Sequence, residues 1–507
     1  MMKLKSKQPN IVLITCDHLR GDFLGCAGHP IIQTPHIDQL ATRGVRFSQA
    51  YSPTPICIPA RATIMTGLEG HSHGLTEFRS GFELPVQETL PQQLHDAGYQ
   101  TKVVGKMHVY PERRHYGFET MLLCEEGRLL GKPYGENRGY DDYEQWLAEQ
   151  GYPGLAHAHG MAINEYAATP WHLPDHLHPT EWIGHQTCKE IKRRDWTRPL
   201  FMWASFTAPH PPLTPLLKDL YMYDRDEMPK PHIGDWANDR EHAEFHQTNL
   251  IRYGDLSSDK KLDLAYRSFF AMITHVDRQI GRIIGTLHEE GILDNTWFII
   301  TSDHGDNLGD HRLWQKGSFL KGACNIPLII APPLEKENWL HALGPAWMPG
   351  TVNESVVGLQ DIMPTCLHIG QAQCPESIDG KSLVAMVKDP AESVREVILG
   401  EFGNLGKRSL MLTDGKWKYI WYEEDGKELL FHIQEDPHEM RNLSSEKDFI
   451  LQEWRRKLAD VLSARLDDPA VENGRLREAK PGVSPSPEER LKKFNYMFIH
   501  KSPNGLH

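Results

Sequence analysis

The sequence lacks long hydrophobic runs. Nowhere in its 507 residues do about 18 consecutive apolar side chains occur, the length that a membrane-spanning helix needs. The basic segment 1–7 is followed by an apolar run from Ile11 to Ile14 only, which is too short for the core of a signal peptide, and no small-residue cleavage site follows. We therefore expect a cytoplasmic protein without a membrane partner.

Paired cysteines, internal repeats and an excess of positive charge are also missing. The eight cysteines include no Cys-x-x-Cys pair and no dense cluster, which favours a reducing compartment over a disulfide scaffold. Lysine and arginine number 55 against 68 aspartates and glutamates, and the formal net charge is −13. This balance argues against nucleic acid as a partner, so an anionic ligand must meet a local positive field.

The most informative stretch runs from Cys57 to Arg61 and reads Cys-Ile-Pro-Ala-Arg. Pro59 suits the first turn of a helix, because its fixed φ fits there and its missing N–H would be unpaired anyway. Gly67 then ends this short helix. Cys57 would face the unpaired amides of the helix N-terminus, an environment that favours an anion, and the planar fork of Arg61 could reach the same anion.

This Cys-x-Pro-x-Arg run and the Thr-Gly pair after it resemble the modification site of the sulfatase family, part of the alkaline phosphatase superfamily. The resemblance extends from Asn10 to about Leu443, with the family's motifs in order. It implies that a maturase oxidises Cys57 to formylglycine, an aldehyde whose hydrate is the nucleophile. Position 57 would then not act as a thiol.

Four apolar segments rich in β-branched and aromatic residues each run directly into polar residues of catalytic type; they are 11–15, 101–104, 200–205 and 297–301. Helical patterns lie between them. Such an alternation predicts an α/β fold with a large, mostly parallel central sheet flanked by helices. Ligands bind beyond the carboxyl ends of the strands in such sheets, so we expect the four polar clusters to converge on one site.

Asp17, Asp303 and His304 follow two of these strands and predict a site for one divalent cation. Two carboxylates and an imidazole suit a hard or intermediate cation, although either aspartate alone is more simply a turn or N-cap residue. The resemblance implies that these three residues and the modified Cys57 hold the metal. Ca²⁺ is the first expectation and Mn²⁺ the competitor, since His304 contributes a nitrogen ligand.

Position 18 departs from the family pattern. Many sulfatases carry a second aspartate there, whereas here Asp17 is followed by His18, which lowers the negative charge around the ion. The sequence leaves open whether His18 binds the metal or only points into the pocket.

Basic residues at the other motif positions predict an anion pocket. The resemblance matches Lys106 and His108 to the family's Gly-Lys-x-His element, and His210 and Lys316 to residues near the sulfate and its leaving oxygen. It implies that Arg61, Lys106, His210 and Lys316 bind the substrate and neutralise charge in the transition state. His108 would act as the general base that frees sulfate from the sulfated hydrate.

The sequence changes character near residue 390. We predict a sulfatase catalytic domain over 1–389, a C-terminal α+β subdomain over 390–470 and an extended tail over 471–507. The subdomain prediction depends on an antiparallel sheet and a covering helix, with candidate segments at 396–399, 417–422, 430–432 and 449–466. Such a tail could pack on a neighbouring subunit, so a homo-oligomer is left open.

Together these features predict a sulfatase that releases inorganic sulfate from an O-sulfate ester of a sugar, aryl or alkyl alcohol. Two alternatives remain. Phosphonate monoester and phosphodiester hydrolases of the same superfamily also use formylglycine and share a single first-strand aspartate with an Asp-His pair. A non-catalytic anion-binding protein, in which Cys57 stays a thiol, is the other alternative.

Overall fold

The computed structural model describes residues 8–126, 141–161, 163–224, 227–238, 258–333, 347–465 and 468–478. Within these ranges no helix is both long enough and apolar enough to span a membrane. All eight cysteines lie in the described ranges and are free thiols.

Sixteen strands occur in the described ranges. In chain order they are β1 (Asn10–Asp17), β2 (Val45–Phe47), β3 (Ala50–Tyr51), β4 (Gln100–Gly105), β5 (Thr120–Leu123), β6 (Leu200–Pro209), β7 (Thr296–Ser302), β8 (Leu328–Ala331), β9 (Thr351–Asn353), β10 (Val357–Gly358), β11 (Ile398–Phe402), β12 (Ser409–Thr413), β13 (Lys418–Tyr422), β14 (Glu428–Phe431), β15 (Val471–Glu472) and β16 (Arg475–Leu476).

The α-helices of the same ranges are α1 (Pro35–Arg43), α2 (Cys57–Thr66), α3 (Gly70–His73), α4 (Leu90–Asp96), α5 (Asp142–Glu149), α6 (Pro179–Lys192), α7 (Leu217–Leu220), α8 (Asp259–Glu289), α9 (Lys321–Cys324), α10 (Ile362–Gly370), α11 (Val384–Lys388) and α12 (Asp448–Ser463).

An eight-stranded sheet with the order β5-β4-β6-β1-β7-β8-β2-β9 forms the centre of the molecule. The four strands predicted from the sequence are β4, β6, β1 and β7, which are neighbours in this order and parallel to one another. Their carboxyl ends therefore meet at one edge, as expected. Strand β8 runs antiparallel to both β7 and β2, so the sheet is mixed on that side.

Helices cover both faces of the sheet, which explains why every residue of β1 is buried. Val12 and Ile14 of β1 face the core that α6 and α8 complete. Ile11 and Leu13 face the opposite core, to which α2, α4 and α10 contribute. The alternating directions of strand side chains thus divide one apolar run between two helix layers.

Helix α1 begins against α8 through a buried carboxylate. Asp277 of α8 accepts hydrogen bonds from the backbone N–H groups of His36 (3.2 Å) and Ile37 (2.8 Å) in the first turn of α1. These are donors that the helix itself cannot satisfy. Burial outweighs these hydrogen bonds and raises the pKa of Asp277 to about 7.

The C-terminal part contains the predicted antiparallel sheet, formed by β11 to β14 in sequential order. Helix α12 covers one face, where Trp454 and Leu458 pack with Leu412 and Tyr419. The other face packs on the catalytic part through residues such as Phe319. Strand β12 was not predicted, because no candidate segment was assigned between 396–399 and 417–422.

The predicted tail begins with structure of its own. Strands β15 and β16 form a short antiparallel hairpin, and Val471 and Leu476 pack beside the cluster under α12. The tail from residue 479 onward lies outside the described residues.

Candidate active site

Helix α2 places Cys57 at its first position, at the carboxyl edge of the sheet. All ten residues of this helix are buried, and Gly67 ends it with a φ of 68°. Cys57 Sγ lies 3.3 Å from Nε2 of His304. Burial and the Asp17 carboxylate act to raise the pKa of the Cys57 thiol, but Lys316, His304 and Lys106 outweigh them and lower it to about 7. The pocket therefore stabilises negative charge at position 57, as the helix N-terminus predicts.

The four predicted metal residues come together. Asp17, Cys57, Asp303 and His304 each offer one ligand atom, and these atoms lie within 4.8 Å of one another, all on buried residues. Nδ1 of His304 lies 2.9 Å from the carbonyl oxygen of Gly305. Because a carbonyl can only accept, Nδ1 carries a proton, and Nε2 is the ring nitrogen that faces the other ligand atoms.

One oxygen among these four ligand atoms makes no hydrogen bond to the described residues. Asp17 Oδ1 is buried and has no hydrogen-bond partner among the described residues. Nε2 of His304 lies 3.5 Å from it. A buried carboxylate oxygen without a donor is costly, and a cation would satisfy it. The donor set, two carboxylates with an imidazole and residue 57, therefore fits a divalent cation.

Arg61 connects β6 with the residues that follow β4 and β7. Its Nε donates to Asp303 Oδ2 at 2.9 Å, and its Nη1 donates to the carbonyl of Lys106 (2.6 Å) and to Ser205 Oγ (2.9 Å). Only Nη2 makes no hydrogen bond within the described part of the chain, and it lies 3.8 Å from Asp17 Oδ2. The Arg61 guanidinium was predicted to bind an anion, and one of its nitrogens, Nη2, is thus available for a ligand.

Lys106 lies between two carboxylates. Its ammonium contacts Asp17 Oδ2 and, at 2.7 Å, Glu126 Oε2. The neighbouring Glu125 accepts hydrogen bonds from the backbone N–H groups of Met107 (2.7 Å) and His108 (2.9 Å). Neither glutamate was predicted as a site residue. Both follow β5 after Cys124, and the apolar run before them was the signal that could have identified a fifth strand end.

His108 follows Lys106 by two residues. Its backbone has a φ of 49°, and its buried ring is centred 6.0 Å from that of Phe78 and 6.3 Å from that of Tyr110. Non-glycine residues adopt such a φ infrequently, so the loop requires this conformation. The role of His108 as general base stays a prediction.

Lys316, a predicted substrate-binding residue, contacts both His210 and His18. Its Nζ lies 3.1 Å from Nε2 of His210 and 2.6 Å from Nε2 of His18. The His18 ring is centred 4.3 Å from that of His210 and 4.5 Å from that of His304. Burial and the nearby Lys316 lower the pKa of His18 to about 3 and hold that of His210 well below its usual range. Both imidazoles are therefore neutral at pH 7.

Asp306 is a further residue that the sequence analysis did not include in the site. Its Oδ2 lies 2.8 Å from Nδ1 of His18 and also accepts a hydrogen bond from the hydroxyl of Tyr166. Asp306 lies three residues after Asp303 and two after His304, so the sequence showed that it follows β7. Its contact with His18 could not be predicted, because that contact depends on the backbone conformation at position 18.

Comparison with known proteins agrees with this geometry. Residues 9–372 match the sulfatase family model, and residues 309–466 match the model of the N-sulphoglucosamine sulphohydrolase C-terminal region. An arylsulfatase of Clostridium perfringens is 35% identical over 87% of this chain and 91% of its own. A choline-sulfatase of Rhizobium meliloti is 28% identical over 86% of this chain and 82% of its own.

The fold also matches solved structures. The phosphonate monoester hydrolase of Agrobacterium radiobacter superposes with a TM-score of 0.74 at 24% identity, covering 93% of this chain and all of the other. At that identity the likeness concerns the fold alone. From the match of the family model over residues 9–372 and the 35% identity to an arylsulfatase, we conclude that the chain belongs to the sulfatase family, the hydrolases of sulfuric esters.

Proposed function

We propose that this protein hydrolyses an O-sulfate ester to an alcohol or phenol and inorganic sulfate, with formylglycine formed from Cys57 and one divalent cation. The observation that carries the proposal is the convergence of Asp17, Asp303 and His304 on Cys57, with a buried Asp17 oxygen that lacks a donor among the described residues. A formylglycine-generating maturase is the partner that this chemistry requires.

Asp17, Asp303, His304 and residue 57 would hold the cation. Ca²⁺ is our first choice because two hard carboxylates are present, and Mn²⁺ is the alternative because the imidazole adds nitrogen. When bound, the cation supplies positive charge that polarises sulfate oxygens and lowers the pKa of a neighbouring hydroxyl.

Residue 57 would supply the nucleophile. When formed, the hydrated aldehyde offers one hydroxyl to the sulfur atom and keeps a second, whose deprotonation releases sulfate. The pocket suits an oxyanion there, since the same surroundings lower the pKa of the unmodified thiol. We assign the removal of the second proton to His108, from its position in the Gly-Lys-x-His element.

The remaining residues of the pocket stabilise charge. Nη2 of Arg61 and the ammonium of Lys106 lie on the Asp17 side of residue 57 and suit the sulfate oxygens. Lys316 and His210 lie together on another side of the pocket, and we propose that they stabilise the negative charge on the departing oxygen. His210 is neutral and accepts from Lys316, so Lys316 carries the positive charge of this side.

The position of His18 favours one competing activity, the hydrolysis of phosphonate monoesters or phosphodiesters. At position 18 a neutral imidazole stands where many sulfatases have a second carboxylate. The pocket is therefore less negative and repels an anionic phosphonate or phosphodiester less.

The experiment is a rate comparison between an aryl sulfate and the matching aryl phosphonate, with protein co-expressed with a maturase and with C57A as the inactive control. A higher kcat/KM for the sulfate supports the first choice, and a strong preference for the phosphonate would replace it. Mass spectrometry of the peptide that carries Cys57 tests the modification. If the thiol stays unconverted and no ester is hydrolysed, the anion-binding alternative gains support.

A further inference from the structure

The ammonium of Lys316 is held by three acceptors. Nε2 of His18 lies at 2.6 Å, Nε2 of His210 at 3.1 Å and Oδ1 of Asn164 at 3.4 Å. A lysine ammonium has three N–H donors, so the two imidazoles occupy two of them, and the third, directed at the more distant Asn164 oxygen, can turn to a substrate oxygen. The shortest contact is the one to His18.

The partners of His18 fix its tautomer. Its Nδ1 lies 2.8 Å from Oδ2 of Asp306, and its Nε2 faces the Lys316 ammonium. A carboxylate only accepts and an ammonium only donates, so Nδ1 carries the proton and Nε2 accepts. The single lone pair of the ring is then used by Lys316. In this arrangement His18 has no lone pair with which to bind a cation.

Asp306 is anchored as an acceptor. Besides His18 and Tyr166, it accepts from the backbone N–H groups of Leu308 (2.8 Å) and Gln315 (3.0 Å). Gln315 precedes Lys316 directly, so one carboxylate holds both the backbone beside Lys316 and the imidazole that directs its ammonium.

The backbone shows that this arrangement is imposed on the chain. His18 has a φ of 71° and Gln315 a φ of 67°, a region that non-glycine residues rarely adopt. His18 directly follows β1, and Gln315 directly precedes Lys316. Such outliers cluster where a site requires a particular side-chain direction.

We propose that His18 is a positioning residue for Lys316, oriented by Asp306, and not a metal ligand. The inference depends on the proposed function, because it gives Lys316 the task of stabilising the leaving oxygen. A neutral acceptor at position 18 orients the Lys316 ammonium and leaves its positive charge uncompensated. A carboxylate at this position would instead pair with the ammonium and weaken its attraction for the departing oxygen.

Two substitutions separate the two contacts of His18. In H18N the amide can still donate to Asp306 but does not reach Lys316, whereas in H18Q the longer amide offers an oxygen to Lys316. We expect H18N to lower kcat by about tenfold to a hundredfold for aryl sulfates with weakly acidic phenols, and much less for nitrophenyl sulfate. H18Q should recover a large part of this loss, and H95N, at an exposed histidine of α4, should match wild type.

Metal content provides the second readout. H18N should retain the wild-type amount of bound metal, and the double variant H18N/K316A should be no slower than K316A alone. Loss of metal from H18N, with an equal loss of rate for all leaving groups, would make His18 a ligand and overturn the proposal. Additive effects in the double variant would overturn it as well.

A third readout does not require turnover. In crystal structures, Nζ of Lys316 should keep its place in H18Q and leave the His210 side chain in H18N; an unmoved Lys316 in H18N would contradict the inference. If wild type holds metal but hydrolyses no sulfate ester, the proposed function fails. The crystal structures then still decide whether His18 positions Lys316.

Discussion

The sulfur of Cys57 lies 3.3 Å from Nε2 of His304, although 247 residues separate the two along the chain. The contact exists because β1 and β7 are neighbours and end at the same edge, where α2 begins. The ligand atoms at the ends of β1 and β7 and the residue to be modified are therefore brought together by central strands that are buried along their whole length.

The first prediction concerns the Cys57 thiol in unconverted, metal-free protein. Ultraviolet absorbance of the thiolate, measured against C57A, should titrate near pH 7, because Lys316, His304 and Lys106 lower the thiol pKa to about 7 despite burial. K316M should raise that pKa by removing a positive charge. A wild-type midpoint at the ordinary thiol pKa, unchanged in K316M, would contradict this account of the pocket.

The second prediction concerns metal binding through Asp17. D17N should purify with little bound metal, because it replaces the buried oxygen that lacks a donor within the described ranges. Elemental analysis measures the loss. A chelator should lower the Tm of wild type but not that of D17N, since a ligand that binds only the folded state stabilises it. D96N, at an exposed aspartate of α4, should behave as wild type in both measurements.

The third prediction concerns stability against pH. Burial raises the pKa of Asp277 to about 7, so between about pH 4 and pH 7 the folded state holds a proton that the unfolded state has released. Asp277 therefore contributes a free energy of unfolding that falls as pH rises through this window, by about 4 kcal/mol.

Denaturant titrations at several pH values, compared between wild type and D277N, measure this contribution. The asparagine can still accept a hydrogen bond from the first turn of α1, so D277N should fold and show a flatter profile. Identical profiles for the two proteins would rule out Asp277 as the source.

The fourth prediction concerns the interface between the two sheets. Lys418 Nζ lies 2.5 Å from Glu439 Oε1, donates to the carbonyl of Phe319 at 3.1 Å, and is fully buried. K418M should lower the free energy of unfolding by about 3–5 kcal/mol, because it leaves the Glu439 charge buried without its partner. The double variant K418M/E439Q should regain much of the loss in denaturant unfolding. Equal destabilisation of both variants would show that packing, not charge, dominates there.

Much of this architecture could be predicted from the sequence, because hydrophobic runs that end in polar residues are local signals. The strands β1, β4, β6 and β7 and the meeting of Asp17, Cys57, Asp303 and His304 follow from such signals and from the parallel topology. The family and fold predictions are confirmed by the comparisons. The assigned roles of the site residues, the domain boundaries, the cytoplasmic location and the oligomeric state stay predictions.

What the sequence could not provide is the direction of side chains at strand ends. His18 and Lys316 are brought together by positive φ values and by Asp306, none of which leaves a periodic pattern. Arg61 was predicted to face the anion, yet three of its hydrogen bonds go to strand ends that come from different parts of the chain. Short edge strands such as β5 carry too few residues to show alternation, and so Glu126 was missed.

Because α2 is buried, the modification that we propose for Cys57 has to precede the folding of this region. Cys57 is 1% exposed, and every residue around it on the helix is buried. An enzyme that oxidises Cys57, as we propose, must bind the surrounding segment before α2 docks against α4 and α10. On this proposal, folding and maturation compete for the same stretch of nascent chain. The fraction of converted molecules would then be set during synthesis, because a maturase that meets the folded protein cannot reach Cys57 unless α2 unfolds.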